Sequence, residues 1–165
     1  MHVRRVDRTL RQMPTLDVPL STVMTRDVVT VLSTATVEQA VRAMLEQNVL
    51  GLAVEDAAGS VVGVFSMTDA LWATSTSERS ESDDSFYDAA ALLRIVREPK
   101  TLEAKELPVS RFMNQRVVSL GPDATVAEAA RTMAERRIHR VLVLDEKKKL
   151  LGVVAALDVC RHVTS

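Results

Sequence analysis

The sequence predicts an α+β fold, close to α/β in its alternation of strands and helices, in which two β-α-β-β-α repeats pack pseudo-symmetrically on each other. Shifting the chain by 89 residues aligns about 15 identical residues over positions 23–69 without a gap, where roughly three or four are expected by chance. Each repeat alternates short apolar runs with a helical period. Because 47% of the 165 residues are hydrophobic but only 3% are aromatic, we expect an aliphatic core that the two repeats share.

The first half of each repeat is predicted to be a strand followed by a helix. Residues 28–31 and 117–120 are rich in Val, Thr and Ser around apolar positions, a composition typical of strands. The helices of about three turns that follow begin at capping boxes, in which a Thr precedes Gln or Glu by three positions: Thr36 with Gln39, and Thr125 with Glu128.

The second half of each repeat is predicted to be a hairpin and a final helix. The apolar runs on either side of a polar turn favour antiparallel strand pairs. The predicted pairs are residues 51–56 with 61–66 and residues 140–145 with 150–155, and the last helices are expected to begin near Thr68 and Leu157. A single repeat leaves one face of its small sheet uncovered, so we expect two copies to cover each other.

The remaining segments define the domain organisation. Residues 73–85 are rich in Ser and charge and predict a mobile, solvated loop, residues 86–97 and 3–13 show helical spacing, and residues 16–24 match 104–113 as a lead-in to each repeat. The expected division is an N-terminal extension (1–17), a first repeat (18–72), a flexible linker with a short helix (73–106) and a second repeat (107–165).

Charge and cysteine content exclude several classes of protein. The formal net charge is −1 and no long basic block is present, so binding to nucleic acid has no electrostatic basis. The single Cys160 cannot form an internal disulfide, and no secretory signal or membrane-spanning apolar run is found. We expect a cytoplasmic protein with no membrane partner.

Three motifs recur in order and carry a family resemblance. They are "VMTRDVVTV" with "FMNQRVVSL", the "IHRVLVLD" strand of the second repeat, and the Gly-x-x-Ser-x-x-Asp frame of "GVFSMTD", which recurs as "GVVAALD". Together they resemble a tandem pair of CBS (cystathionine β-synthase) domains, a Bateman module, over residues 18–163. The resemblance implies a stand-alone CBS-domain protein, because we expect no effector domain beside the pair.

The resemblance implies a regulatory module and not an enzyme. Such pairs bind adenine nucleotides (AMP, ADP or ATP) or related adenosyl compounds in clefts between the copies, require no cofactor, and commonly form a disc-shaped homodimer. An unknown effector protein is the further partner that it implies. The alternative that the sequence leaves open is an assembly module whose clefts stay empty.

The main candidate cleft combines both repeats. Asp69 can accept both hydroxyls of a ribose through charge-assisted hydrogen bonds, and Ser66, near the helix start with Thr68, can contact ribose or phosphate. The resemblance implies that His139 and Arg140 of the second copy complete this site by binding the phosphate. The structural alternatives are that Ser66 and Asp69 only cap a helix and that His139 and Arg140 are a solvated strand end.

A second, weaker cleft is expected around Asp158 and Ala155. Ala155 lacks the hydroxyl of Ser66, and Leu50 and Gly51 replace the basic couplet. We expect this cleft to be weak, empty or suited to an uncharged group such as adenosine. No metal site is expected, because His2, His162 and Cys160 have no ligand spacing, and no nucleophile, acid–base pair or phosphate-binding loop indicates an enzyme.

Overall fold

A computed structural model describes residues 16–73 and 106–164 of the chain. The helices expected at residues 3–13 and 86–97 lie outside the described residues, as does the Ser-rich loop apart from Ala73. The described part contains the two repeats in full order. The predicted α+β fold of two β-α-β-β-α repeats is confirmed.

Each copy contains three strands and two main helices behind a short lead-in turn. The first copy consists of α1 (Leu20–Val23), β1 (Thr30–Leu32), α2 (Val37–Glu46), β2 (Gly51–Glu55), β3 (Val61–Ser66) and α3 (Met67–Ala73). The second consists of a 3₁₀ turn (Val109–Arg111), β4 (Ser119–Leu120), α4 (Val126–Arg136), β5 (Arg140–Leu144), β6 (Leu150–Ala155) and α5 (Ala156–Thr164). The last helices therefore begin one residue before the predicted Thr68 and Leu157.

The two sheets have the same topology. Their strand orders are β1-β2-β3 and β4-β5-β6, with the first pair of each parallel and the second antiparallel. In the hairpins, Gly51 lies opposite Ser66 and Arg140 lies opposite Ala155. In each sheet, the first residue of the central strand (β2 or β5) therefore lies opposite the residue that precedes the last helix (α3 or α5).

Both predicted capping boxes are present at the starts of α2 and α4. The hydroxyl of Thr36 accepts a hydrogen bond from the backbone N–H of Gln39 at 3.2 Å, and the Gln39 side chain accepts one from the N–H of Thr36 at 2.9 Å. Thr125 and Glu128 repeat this arrangement. Each box satisfies two backbone donors that a helix start otherwise leaves to water.

The lead-in segment of each copy packs on the opposite copy. Leu20 is fully buried in the core of the second copy, and its N–H donates to the carbonyl of Ala124 at 2.8 Å. Val109 is fully buried in the core of the first copy, where its N–H donates to the carbonyl of Ala35 at 2.8 Å. The lead-ins are therefore exchanged, and each copy depends on a segment that precedes the other.

The repeated Met and Gly of the sequence meet across this exchange. A Cβ added at Gly63 would lie 2.6 Å from the sulfur of Met113, and one added at Gly152 would lie 2.7 Å from the sulfur of Met24. The residues beside them form antiparallel bridges, Val64 with Asn114 and Val153 with Thr25. Glycine recurs at these positions because a lead-in runs directly over each sheet.

The two sheets also contact each other directly. Ala53, Val61, Leu142 and Leu144 form one buried cluster that draws on both copies. The hairpin turns touch as well, because the N–H of Val61 donates to the carbonyl of Lys148 at 2.9 Å and Nζ of Lys149 donates to the carbonyl of Ala58. Within residues 16–73 and 106–164, no helix is long and apolar enough to cross a bilayer.

Candidate functional site

Ser66 and Asp69 form a capping box at the start of α3. Oδ2 of Asp69 accepts hydrogen bonds from the N–H of Ser66 at 2.8 Å and from its hydroxyl at 2.6 Å, and the N–H of Asp69 donates to Oγ of Ser66 at 3.3 Å. Asp69 is 4% exposed, and it is a buried charged residue in a core that is otherwise apolar among the described residues. The capping role considered for this pair is therefore present in the structure.

The equivalent pair of the second copy is more open. The N–H of Ala155 donates to Oδ2 of Asp158 at 2.9 Å, but Ala155 offers no hydroxyl. Oδ1 of Asp158 lies 3.5 Å from Nη1 of Arg161 on the same helix, and the Asp158 side chain is 20% exposed. The two carboxylates thus occupy equivalent positions with different partners.

A cavity of about 330 Å³ lies beside the start of α3 and takes residues from both copies. The first copy contributes the end of α2, the loop to β2 and the first residue of α3, and the second copy contributes only Arg140. The lining residues are Met44, Leu45, Asn48, Val49, Leu50, Met67 and Arg140. Five of the seven lining residues are apolar, and Arg140 and Asn48 add a guanidinium and an amide.

Local backbone contacts fix the shape of this cavity. The N–H of Met67 donates to the carbonyl of Leu50 at 3.0 Å, and the N–H of Val49 donates to the carbonyl of Met44 at 2.9 Å. Asn48, between them, has a φ of 53°, a left-handed conformation that Asn tolerates well. The turn after α2 therefore holds the lining residues against the first turn of α3.

The structure brings Arg140 to Met67, the residue between Ser66 and Thr68. Ser66, Thr68, Asp69 and His139 are not among the residues that line the cavity. Thr68 is half-buried in the first turn of α3, whereas His139 is exposed just before β5. Of the Ser-x-x-Asp turn of the first copy, Met67 is thus the residue that shares the cavity with Arg140.

Sequence reasoning missed the cavity wall contributed by α2. Met44 belongs to the buried core of the first copy as well as to the cavity wall, and neither Met44 nor Leu45 lies in one of the recognised motifs. Asn48 carried a usable signal, because Asn directly after a helix indicates a left-handed cap. In the part of the chain that the structure describes, no group of three or more His, Cys, Asp or Glu side chains could hold a metal ion.

The described structure thus consists of two interlocked repeats with a cavity lined by residues of both. The family model for the CBS domain matches the chain twice, at residues 20–75 and 109–165. The chain therefore belongs to the CBS domain family, and the resemblance drawn from its motifs is confirmed. CBS-domain pairs are generally regulatory, non-catalytic domains.

Curated relatives include CBS proteins of different size. The chain is 29% identical over 134 residues to the 5'-AMP-activated protein kinase subunit gamma-3 of Bos taurus, covering 81% of this chain and 24% of that protein. It is 29% identical over 128 residues to the CBS domain-containing protein CBSX2, chloroplastic, of Arabidopsis thaliana, covering 76% and 54%. The chain thus spans from about a quarter to about half of these two relatives.

Solved CBS structures share the fold. The CBS domain of a CBS domain-containing membrane protein from Sphaerobacter thermophilus is 26% identical with a TM-score of 0.66, covering 88% of each chain. CBSX2 in complex with AMP is 23% identical with a TM-score of 0.64, covering 87% of this chain and 93% of that one. The CBS domain pair of protein MJ0100 with 5'-methylthioadenosine and S-adenosyl-L-methionine is 19% identical with a TM-score of 0.62, covering 87% and 94%.

Proposed function

We propose that the chain is a regulatory module that binds AMP, ADP, ATP or a related adenosyl compound between its two CBS copies. The single observation that carries this proposal is the position of Arg140. This residue comes from the second copy, yet it lines a cavity whose other walls belong to the first copy. The affinity of a ligand that contacts both copies depends on their relative position. Binding can therefore shift the balance between two arrangements of the copies, which is what regulation by binding requires.

Arg140 suits a phosphate group. Its side chain is exposed, and the structure gives it no hydrogen bond or ion pair with any residue in the described ranges. A guanidinium presents several N–H donors in one plane and can bind a phosphate through two of them. The apolar side chains of Met44, Val49 and Met67 beside it can cover the uncharged part of a nucleotide.

In this proposal the Ser-x-x-Asp turn binds the ribose. Asp69 uses Oδ2 for the cap, and a carboxylate can accept further hydrogen bonds from sugar hydroxyls. Ser66 and Thr68 supply hydroxyls on either side of Met67, and His139 precedes Arg140. The cap fixes the position of the Asp69 carboxylate two residues after Met67, which lines the cavity.

The relatives support the ligand class. CBSX2 is described in complex with AMP, and the MJ0100 pair in complex with 5'-methylthioadenosine and S-adenosyl-L-methionine. All three compounds contain an adenosyl group, and AMP adds one phosphate. The cation at position 140 favours the phosphorylated member of this set for the present chain.

Calorimetric titration with AMP tests the proposal. We expect wild-type protein to bind, and Arg140→Ala to bind roughly tenfold to a hundredfold more weakly through loss of a charge-assisted hydrogen bond. Arg131→Ala, an exposed arginine of α4 away from the cavity, is the matched control and should bind as wild type does. Equal affinity of the Arg140→Ala and wild-type proteins would remove this residue from the site.

The second candidate function is assembly, and exposed apolar side chains on the helices favour it. Leu45 on α2 is 69% exposed, Leu71 on α3 is 37% exposed and Leu157 on α5 is 60% exposed. Contiguous exposed apolar surface is typical of protein interfaces, and we propose that these leucines form such a surface in a homodimer. Sedimentation equilibrium of wild type and Leu45→Lys should show a dimer and a shift to monomer, respectively.

Melting curves separate the two functions. A ligand that binds only the folded protein raises its melting temperature, so a rise with AMP or S-adenosylmethionine supports nucleotide sensing. A dimer whose melting temperature stays constant with AMP, ADP, ATP, S-adenosylmethionine and 5'-methylthioadenosine would support assembly alone.

A further inference from the structure

The turns of the two β-hairpins have the same internal frame. In the first turn, Oδ1 of Asp56 accepts hydrogen bonds from two backbone N–H groups, each at 2.9 Å. Oδ1 of Asp145 does the same in the second turn, with both distances at 2.8 Å. One residue of each turn is left-handed, with φ of 71° at Gly59 and 59° at Lys148. Aspartate hydrogen bonds of this kind hold a turn in one conformation, so both turns present their carbonyl groups in fixed positions.

The two turns bind each other through a reciprocal pair of hydrogen bonds. Oγ of Ser60 donates to the carbonyl of Lys147 at 3.4 Å, and Nζ of Lys149 donates to the carbonyl of Ala58. The 89-residue offset of the repeats equates Ser60 with Lys149 and Ala58 with Lys147. Each bond is therefore the image of the other, and the pseudo-twofold axis that relates the copies passes between the two turns.

Lys149 provides the stronger bond of this pair. Its ammonium group forms a charge-assisted hydrogen bond, whereas Ser60 offers a neutral hydroxyl at a longer distance. Lys149 is also half-buried, while the neighbouring Lys147 and Lys148 are exposed. A third bond runs from the N–H of Val61 to the carbonyl of Lys148 at 2.9 Å. We call these three hydrogen bonds between the hairpins the turn contact.

The strand β5 connects the turn contact with the cavity. It begins at Arg140, which lines the cavity, and ends at Leu144, directly before the second turn. Leu142 and Leu144 are buried in the cluster that the second copy shares with Ala53 of the first. A five-residue strand spans about 14 Å. Because close-packed interiors transmit displacements, a shift of one hairpin turn against the other moves Arg140 relative to the first copy.

We propose that the turn contact controls the affinity of the Arg140 cavity from the far end of β5, with Lys149 as the residue that holds it closed. The inference rests on the proposed function for its ligand. With the contact formed, Arg140 and Met67 line one cavity. When the contact opens, the copies shift and Arg140 moves away from the first-copy wall. The affinity then falls with the fraction of molecules in which the contact is formed.

Calorimetric titration with AMP measures this effect. Lys149→Met removes the ammonium group and should weaken binding roughly threefold to tenfold. The matched control is Lys147→Met, which removes the same charge from the same turn but keeps the carbonyl that accepts from Ser60. Lys149→Arg keeps a cationic donor, and both it and the control should bind AMP as wild type does. Neither position lies in the buried core, so the variants should fold.

Amide NMR of the ligand-free protein tests the coupling without a nucleotide. The N–H of Val61 reports on the turn contact, and the N–H of Met67, which donates to the carbonyl of Leu50, reports on the cavity. Lys149→Met should speed hydrogen exchange at Val61 roughly threefold and shift the Met67 resonance, whereas Lys147→Met should change neither. The strand β3 separates the two amides by about 17 Å, so a direct effect of the substituted side chain cannot reach Met67.

The coupling must also act in the reverse direction. Saturating AMP should slow hydrogen exchange at Val61 in the wild-type protein, although this amide lies at the opposite end of β3 from the cavity. Exchange at Val61 that is independent of AMP in a protein that binds AMP would overturn the inference.

The remaining outcomes separate this inference from the proposed function. An unchanged Met67 resonance in ligand-free Lys149→Met overturns the inference, whether or not AMP binds to the wild type. An AMP affinity that Lys149→Met leaves unchanged, or that Lys147→Met lowers equally, overturns it as well. A shifted Met67 resonance in a protein that does not bind AMP supports the link between the turns and the cavity and overturns the proposed function.

Discussion

A single hydroxyl distinguishes the two Ser/Ala-x-x-Asp turns. Ser66 receives a hydrogen bond from the N–H of Asp69 and donates one to its carboxylate, so α3 begins at a complete capping box. Ala155 provides only its own N–H to Asp158, so α5 begins at half of one. The first copy therefore has the turn with more hydrogen bonds and the more buried carboxylate.

We expect Ser66→Ala to lower the free energy of unfolding by about 1 kcal/mol, because the N–H of Asp69 loses its side-chain acceptor. Urea unfolding of the two proteins measures this difference. The reciprocal control is Ala155→Ser, which can complete the box at α5 and should leave stability unchanged or slightly raised. A loss of stability in Ala155→Ser that equals that of Ser66→Ala would show that the hydroxyl does not act as a cap.

At the scale of elements, the close approach of each lead-in to the opposite sheet explains why both copies have a Met in the lead-in. Met24 and Met113 recur because each sulfur lies on a glycine of the opposite sheet. The two contacts are not equally adaptable. At Gly63 the closest group is a flexible methionine end and the carbonyl oxygen of Asn114 is 3.1 Å away, whereas at Gly152 the carbonyl oxygen of Thr25 is 2.7 Å away.

We expect Gly152→Ala to destabilise the protein by about 1 to 3 kcal/mol, because the new methyl overlaps backbone that cannot rotate away. Gly63→Ala should cost less, since the Met113 side chain can move. The matched control is Gly121→Ala, where an added Cβ meets no atom within 4 Å. Thermal unfolding of the three variants checks the order, and a Gly152→Ala protein as stable as Gly121→Ala would contradict the close contact.

Local patterns made most elements predictable. The hairpin strands β3 and β6 have the bounds expected from the sequence. Both capping boxes occur where the Thr-x-x-Gln/Glu spacing predicted them. These features depend on neighbours within a few residues. The exchange of lead-ins was not predictable, because the 89-residue offset equates Leu20 with Val109 without saying which core either enters.

The candidate site was predictable to the same limited extent. The Ser-x-x-Asp spacing singled out Ser66 and Asp69, and the family resemblance implied that Arg140 joins them. In the structure Arg140 lines a cavity together with Met67, which follows Ser66. The wall formed by Leu45 and Asn48 depends on how α2 ends against α3. The packing of α2 against α3 is a tertiary contact, and the hydrophobic periodicity of one sequence does not predict it.

At the scale of the whole molecule, exchange of the lead-ins makes the two copies one folding unit. Leu20 precedes the first copy but is fully buried in the second, and Val109 shows the reverse. A shared cluster that includes Ala53 and Leu142 joins the sheets between them. Loss of packing in one copy should therefore also lower the stability of the other.

We expect Leu20→Ala to lower the free energy of unfolding by about 2 to 5 kcal/mol, because it opens a cavity in the core of the second copy. The measurement is tryptophan fluorescence in urea, since the only Trp of the chain, Trp72, lies on α3 of the first copy. Its transition should shift together with the circular dichroism signal. An unshifted Trp72 transition would mean that the copies unfold independently.

The crossed lead-ins also bear on how such a chain could arise by duplication. In a polypeptide with just one lead-in and one β-α-β-β-α unit, the lead-in would have no second copy to pack on, and the core of the unit would lack the lead-in that covers it. Two identical polypeptides of this kind could satisfy each other as a reciprocal domain-swapped pair. Fusion of the two genes would then preserve every contact while freeing each half to diverge, as Ser66 and Ala155 have done.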